Sequence, residues 1–207
     1  MRKPRILFFD VETTAIIGDS WRHYDTHLHH MRRYSGILSF AYKWLGSKRV
    51  YCETRQHQSE KRLLIKLRNL FNRADIVIAH NGKAFDVKKA RAFFVMKGIA
   101  PHTPFAVIDT KTEAKKWFSF DSNSLDNLGD MLGVGRKIPH PGYSMWLGCE
   151  RGDKASWEML KRYNIHDVFP LLEGVFNKMK PWICAAPQVT LRQAIKPHGL
   201  TLKEVLK

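Results

Sequence analysis

Cysteine is scarce in this sequence: Cys52, Cys149 and Cys184 are the only three in 207 residues, and no two of them form a CxxC pair. That excludes a disulfide framework and a zinc ribbon and suits a reducing cytoplasm. Long apolar runs are also missing. Nothing approaches the roughly 20 residues that span a bilayer, and the start leads into an apolar strand without a signal-peptide core. A soluble cytoplasmic protein without a membrane partner is expected. There is no internal repeat and no low-complexity linker, and 207 residues imply one domain more readily than two. Acidic residues are few, 19 against 35 Lys plus Arg, for a formal net charge of +16. The excess is spread along the chain, so it implies a basic folded surface that attracts polyanions. Ribosomal and membrane-surface proteins share that balance, and charge alone makes nucleic acid plausible and nothing more.

What is present is ample for a packed core: 44% hydrophobic and 12% aromatic residues. Residues 5–11 (RILFFDV) form a short apolar run that predicts a buried central strand. Residues 37–45 and 49–53, separated by Gly46-Ser47-Lys48, predict a hairpin of two further strands. Helical spacing over 59–71 leads into a β-branched run at 75–79, a helix feeding a parallel strand. A helix over 85–98, a strand over 105–109 and a helix opened by Ser122-Asn123-Ser124 follow. Residues 154–179 are again helical in pattern, bent by Pro170. Residues 19–35, crowded with His and Arg, have no clear period and predict a loop or an inserted irregular segment. The sum is an α/β domain, a mixed sheet flanked by helices. The domain covers 1–182, and 183–207 form an extension of unknown role with short helices expected at 191–195 and 200–206.

Candidate chemistry rests on carboxylates. Asp10 and Glu12 are two apart in a strand, so both project from one face, as a metal-binding pair would. A strand end dipping its acids into solvent has the same spacing. Asp86 falls in the first turn of a helix, where an acid also interacts well with the helix dipole. Tyr163 and Asp167 are four apart in a helical segment and share a face, which packing alone also explains.

In combination these segments are more specific. FDVETT (9–14), HNGKAFD (80–86) and YNIHD (163–167) resemble the three exonuclease motifs of the DEDD superfamily, and Tyr163 places the chain with the DEDDy branch. The sister branch has His five residues before the last Asp, where this sequence has Arg162, so His166 is a bystander. The similarity extends through 122–137 and 161–182 to small stand-alone exonucleases encoded by bacteriophages, whose setting is replication or repair of DNA.

The resemblance implies an RNase H-like five-stranded sheet of order 3-2-1-4-5, with strand 2 antiparallel. It further implies 3′-to-5′ release of nucleoside 5′-monophosphates, most simply from single-stranded DNA with a free 3′ end. Asp10, Glu12, Asp86 and Asp167 would hold two Mg²⁺ or Mn²⁺, hard cations suited to oxygen ligands. Asp10 would bridge the two cations, Glu12 and Asp167 would complete one site, and Asp86 would act on the other through water. Tyr163 would orient the attacking water, since a phenol of pKa about 10 is a poor base at neutral pH. Thr13, Asn81, Lys83 and Phe85 are candidate nucleic-acid contacts, with ordinary turn roles as the alternative for Asn81 and Lys83. An RNA exonuclease, a structure-selective endonuclease and a catalytically silent nucleic-acid-binding module are the competing functions. His23, His27, His29 and His30 match no standard zinc spacing and read as a solvated basic loop. Most tryptophans are expected in the core, with Trp146 and Tyr143 the exceptions to watch.

Overall fold

The computed structural model describes residues 2–22, 24, 27–184, 197, 199 and 204. The strands are β1 (Ile6–Thr13), β2 (Ile17–Asp19), β3 (His30–Arg33), β4 (Ile37–Trp44), β5 (Val50–Thr54), β6 (Ile76–Ala79) and β7 (Ala106–Asp109). The helices are α1 (Glu60–Phe71), α2 (Asp86–Met96), α3 (Thr110–Trp117), α4 (Leu125–Met131), α5 (Tyr143–Glu150), α6 (Lys154–His166) and α7 (Glu173–Cys184).

Five strands form one sheet in the order β5-β4-β1-β6-β7. β1 pairs antiparallel with β4 and parallel with β6, while β4–β5 is antiparallel and β6–β7 parallel. Counting only these five strands, the order is 3-2-1-4-5 with the second strand antiparallel, as the family resemblance implies. β1 is central because its alternating side chains bury on both faces. Leu7, Phe9 and Val11 pack with α1 and α2 against one face, and Phe8 packs with α4, α7 and Ile78 on the other. α1 is helical because Leu63, Leu64, Leu67, Leu70 and Phe71 share a face and the Ser59 hydroxyl caps it, accepting from the Arg62 N–H at 3.3 Å. The β4–β5 turn needs Gly46, whose φ is 82°.

A third cluster places α5 and α6 over β4 through Leu38, Met145, Cys149, Trp157 and Leu160. After α6 a π-helical stretch (Asp167–Leu172) is interrupted where Phe169 turns extended (φ −148°, ψ 125°) ahead of Pro170, the restriction a proline places on the residue before it. The bend expected at Pro170 is therefore a break. After it α7 packs back on the sheet, pinned by a buried ion pair between Lys43 of β4 and Glu173.

Several expectations need correction. Residues 19–35 are not simply a loop: β2 and β3 pair as a separate two-stranded antiparallel sheet. Helices α3 and α5 were not expected. Of the tryptophans only Trp157 is fully buried, Trp182 and Trp21 being exposed. The helices expected at 191–195 and 200–206 lie outside the described residues, apart from Glu204. Among the described residues no helix is long and apolar enough to cross a membrane.

Candidate metal centre

β1 delivers Asp10 and Glu12 to one face by its period of two, on the side occupied by α5 and α6. Just beyond Glu12 the pairing with β4 shifts register, a bulge of the kind that re-aims side chains beside functional sites. Asp167 follows the last turn of α6 and is almost fully buried. Oxygen atoms of Asp10, Glu12 and Asp167 lie within 4.8 Å of one another.

Asp86 approaches from the other side of β1. It opens α2 without any side-chain cap, and its Oδ1 accepts the Val11 N–H at 3.2 Å, between the two acids of the strand. It lies outside the three-residue cluster, yet after burial its charge is the largest influence raising the Asp10 pKa.

A surrounding set of residues fixes these acids. Asn164 of α6 donates to Asp10 Oδ2 at 2.6 Å and accepts from Ser39 Oγ of β4 at 2.9 Å, so an amide bridges helix, acid and sheet. The Trp146 indole N–H donates to Glu12 Oε2 at 2.9 Å. Lys137 Nζ donates to Asp167 Oδ2 at 2.6 Å and to the Tyr163 hydroxyl at 2.8 Å. His140 stands edge-on to both Trp146 and Tyr163, with ring centroids 5.0 and 4.8 Å away.

Burial and mutual repulsion disfavour four charges in so small a volume. Burial, then Asp86, Asp167 and Glu12, hold the Asp10 carboxyl well above the usual range. Burial pushes Glu12 up to about 7 despite the Trp146 hydrogen bond. Burial likewise pushes Asp86 up to about 7 against the Val11 N–H, and raises Asp167 against the opposing charge of Lys137. Tyr163 is pushed up to about 12 by burial and the Asp167 charge, so its hydroxyl keeps its proton at neutral pH. Burial would lower the Lys137 ammonium, but Asp167 and Tyr163 more than offset it and its pKa is raised.

These residues fit divalent cations. The donors are hard oxygens within 4.8 Å of one another, and Asp167 Oδ1 is buried without a hydrogen-bond partner, an acceptor that a cation would satisfy. Asp10, Glu12 and Asp167 are the three that could share an ion, with Asp86 adjacent.

The candidate nucleic-acid contacts divide. The main-chain N–H groups of Asn81 and Lys83 both donate to Asp109, at 3.0 and 2.9 Å, and Asn81 has φ 64°. This is the turn role, and it aims α2. Gly82 is required there, since a Cβ would stand 2.4 Å from the Ala79 side chain. The Lys83 side chain and the Phe85 ring are exposed, Phe85 directly before Asp86, and Thr13 sits at the bulge beside Glu12. His166 does not enter the hydrogen-bonded set, and its Nδ1 is buried and unpartnered. Sequence reasoning missed Lys137, His140 and Asn164. Asn164 left a signal, a polar residue on the apolar face of α6 with Trp157, Leu160 and Tyr163. Lys137 left none.

The mixed sheet and the acidic cluster on its central strand define an RNase H-like protein. A family model described as RNase_H superfamily matches residues 7–173, and the chain belongs to that superfamily. The fold is similar to that of the family B DNA polymerase from the hyperthermophilic archaeon Pyrobaculum calidifontis, with a TM-score of 0.65 and 15% identity. The likeness covers 87% of this chain and 25% of the polymerase, so the chain spans about a quarter of that protein's length. No curated protein matches the chain in sequence.

Proposed function

We propose that the protein is a DEDDy-type exonuclease that hydrolyses nucleic acid from the 3′ end, acting on single-stranded DNA and releasing nucleoside 5′-monophosphates. The observation that carries this reading is the meeting of Asp10, Glu12 and Asp167 within 4.8 Å beside Asp86, with the Tyr163 hydroxyl tied to Asp167 through Lys137. Two Mg²⁺ or Mn²⁺ held by these carboxylates would supply an activated water and stabilise charge on the leaving oxygen.

The chain's own residues have separable parts. Trp146 and Asn164 orient Glu12 and Asp10 by hydrogen bonds. Tyr163, protonated at neutral pH, offers a hydroxyl that orients a water and cannot act as a base. Lys137 places positive charge beside that hydroxyl, where a phosphate would develop negative charge. Thr13, Lys83 and Phe85 are assigned to the bound strand, with Asn81 shaping the turn that presents the last two. The setting is replication or repair in the cytoplasm of a host cell, as for bacteriophage exonucleases, with residues 1–182 as the catalytic domain.

The test is a time course on 5′-labelled single-stranded DNA, duplex DNA and RNA with Mg²⁺, Mn²⁺ or EDTA, beside Asp10→Ala. A metal-dependent ladder that shortens from the 3′ end and is absent in the variant is expected. Internal cuts would indicate an endonuclease, preferential loss of RNA an RNA exonuclease, and intact substrates in every lane a silent binding module.

A further inference from the structure

We infer that the β2–β3 hairpin is a stacking arm for single-stranded nucleic acid upstream of the cleaved end; this rests on the nucleic-acid reading above. The observation is a concentration of exposed apolar and aromatic side chains. Ile16, Trp21, Tyr24, Leu28, Met31 and Tyr34 are all solvent-facing, with Trp21 83%, Tyr24 90% and Tyr34 68% exposed. Exposed aromatics so closely spaced mark a binding surface rather than a core.

The arm is attached to the metal centre at two points. β1, which carries Asp10 and Glu12, continues into it, and the base is closed by Thr14 N–H to Gly36 O and Gly36 N–H to Thr14 Oγ1, both 2.8 Å. Arg33 of β3 pairs with Glu150 at 2.7 Å, and Glu150 ends α5, the helix whose Trp146 holds Glu12. Within the arm Arg32 pairs with Asp19 at 3.1 Å. Its base is therefore set relative to the carboxylates.

Chemistry selects the occupant. The rings are interspersed with Arg22, Arg32 and Arg33 and with His27, His29 and His30, against Asp19 and Asp25, in a chain whose formal net charge is +16 with histidine counted neutral. Exposed aromatic faces interspersed with arginines on a basic chain fit unpaired bases on a phosphate backbone, whereas the bases of a duplex are already stacked and offer no face. A cleft of about 280 Å³ between Trp21, His29, His30, Asp19 and Ser20 gives a ring a place beside Trp21. Trp21 lies seven residues past Thr14, at most about 25 Å along the chain, so the arm is within reach of the strand that leads to the cleaved end.

The experiment is fluorescence anisotropy with labelled oligothymidylate of about 15 nucleotides in EDTA, where nothing is cleaved. Parent, Trp21→Phe and Trp21→Ala/Tyr24→Ala are compared, with the same oligonucleotide as duplex and with light scattering for self-association. The double variant, both residues being exposed, should melt like the parent and bind the single strand at least about tenfold more weakly. Trp21→Phe should keep most of the affinity, and duplex binding should change little. The inference is overturned if the double variant binds the single strand like the parent, or if duplex and single strand lose equally. It is also overturned if the parent self-associates, the double variant is monomeric and oligonucleotide affinity is unchanged, since the arm is then a protein-docking face. Nuclease activity is read separately on the parent with a trinucleotide in Mn²⁺. Binding that depends on the rings without any cleavage would support the arm and remove the exonuclease reading.

Discussion

Asp86→Asn should stabilise the cation-free protein at mildly alkaline pH while removing a proposed ligand. Asp86 is 3% exposed, and burial pushes its carboxyl from 3.8 up to about 7. A folded-state pKa above the unfolded one means that the folded protein holds the proton more tightly. The associated stability is complete below about pH 4 and is lost as pH rises through 7. Once ionised, the group costs on the order of 4 kcal/mol, since each pKa unit corresponds to about 1.4 kcal/mol. Asparagine keeps the oxygen that accepts the Val11 N–H and removes the charge. For a chain of this size 1 kcal/mol moves Tm by about 2–4 °C, so a rise of at least about 5 °C is expected for the variant in EDTA near pH 8. The assay is thermal unfolding by circular dichroism across about pH 5 to 8, in EDTA and in Mn²⁺. The parent in EDTA should lose Tm over that range more steeply than the variant. Mn²⁺ should restore the parent at high pH more than the variant, because ligand binding to the folded state alone raises stability. A variant no more stable than the parent in EDTA at pH 8, with an unchanged pH slope, would refute the reasoning.

Three further outcomes follow from the residues around the acids. Lys137→Ala and Tyr163→Phe should each slow single-turnover hydrolysis of labelled single-stranded DNA by about 10- to 100-fold. Because they share one hydrogen bond, the double variant should lose much less than the product of the two; multiplicative losses would show independent roles. Trp146→Phe should weaken Mn²⁺ binding about 10- to 100-fold by calorimetry, since Glu12 loses its orienting donor; unchanged affinity would make Trp146 a packing residue only. Glu173→Ala should cost about 3–5 kcal/mol in urea unfolding by leaving Lys43 buried and unpaired, while Lys43→Met/Glu173→Leu should be near neutral. Equal losses for the two would mean that the pair itself, and not the stranded charge, sets the stability.

The five-stranded sheet was legible because each strand is a short apolar or alternating run bounded by turn residues. The elements that escaped lack such a signature. β3 (His30–Arg33) is exposed throughout, so no burial period marks it. α3 buries only Thr110 and Ala114 and is held by Asp109, which accepts from Lys111 and Thr112 N–H groups at 3.1 and 3.2 Å. α5 starts at Gly142 without a side-chain cap and buries only Met145 and Cys149. Helices of this kind are set by tertiary contacts, which a local pattern does not record.

The same division runs through the candidate site. Asp10, Glu12, Asp86 and Asp167 could be picked out as candidates because the three segments that carry them resemble the DEDD motifs; their spacing alone left each acid an ordinary structural reading. Their supporters need no fixed residue type. Any donor that reaches Glu12 would serve, and an indole from α5 does so. A cation beside Tyr163 could come from many positions, and Lys137 comes from the loop after α4, anchored by its own N–H on Asp126 at 2.8 Å. Charge explains why supporters are needed at all. Four carboxylates face one ammonium, and burial raises every carboxyl pKa, so the cation-free cluster takes up protons more readily than free carboxylates do. Two divalent cations would replace those protons and bring the balance of the cluster close to zero. Lys137, Trp146 and Asn164, hydrogen-bonded to Asp167, Glu12 and Asp10, would keep the oxygens in place through that exchange, and these are the residues that the sequence pattern conceals.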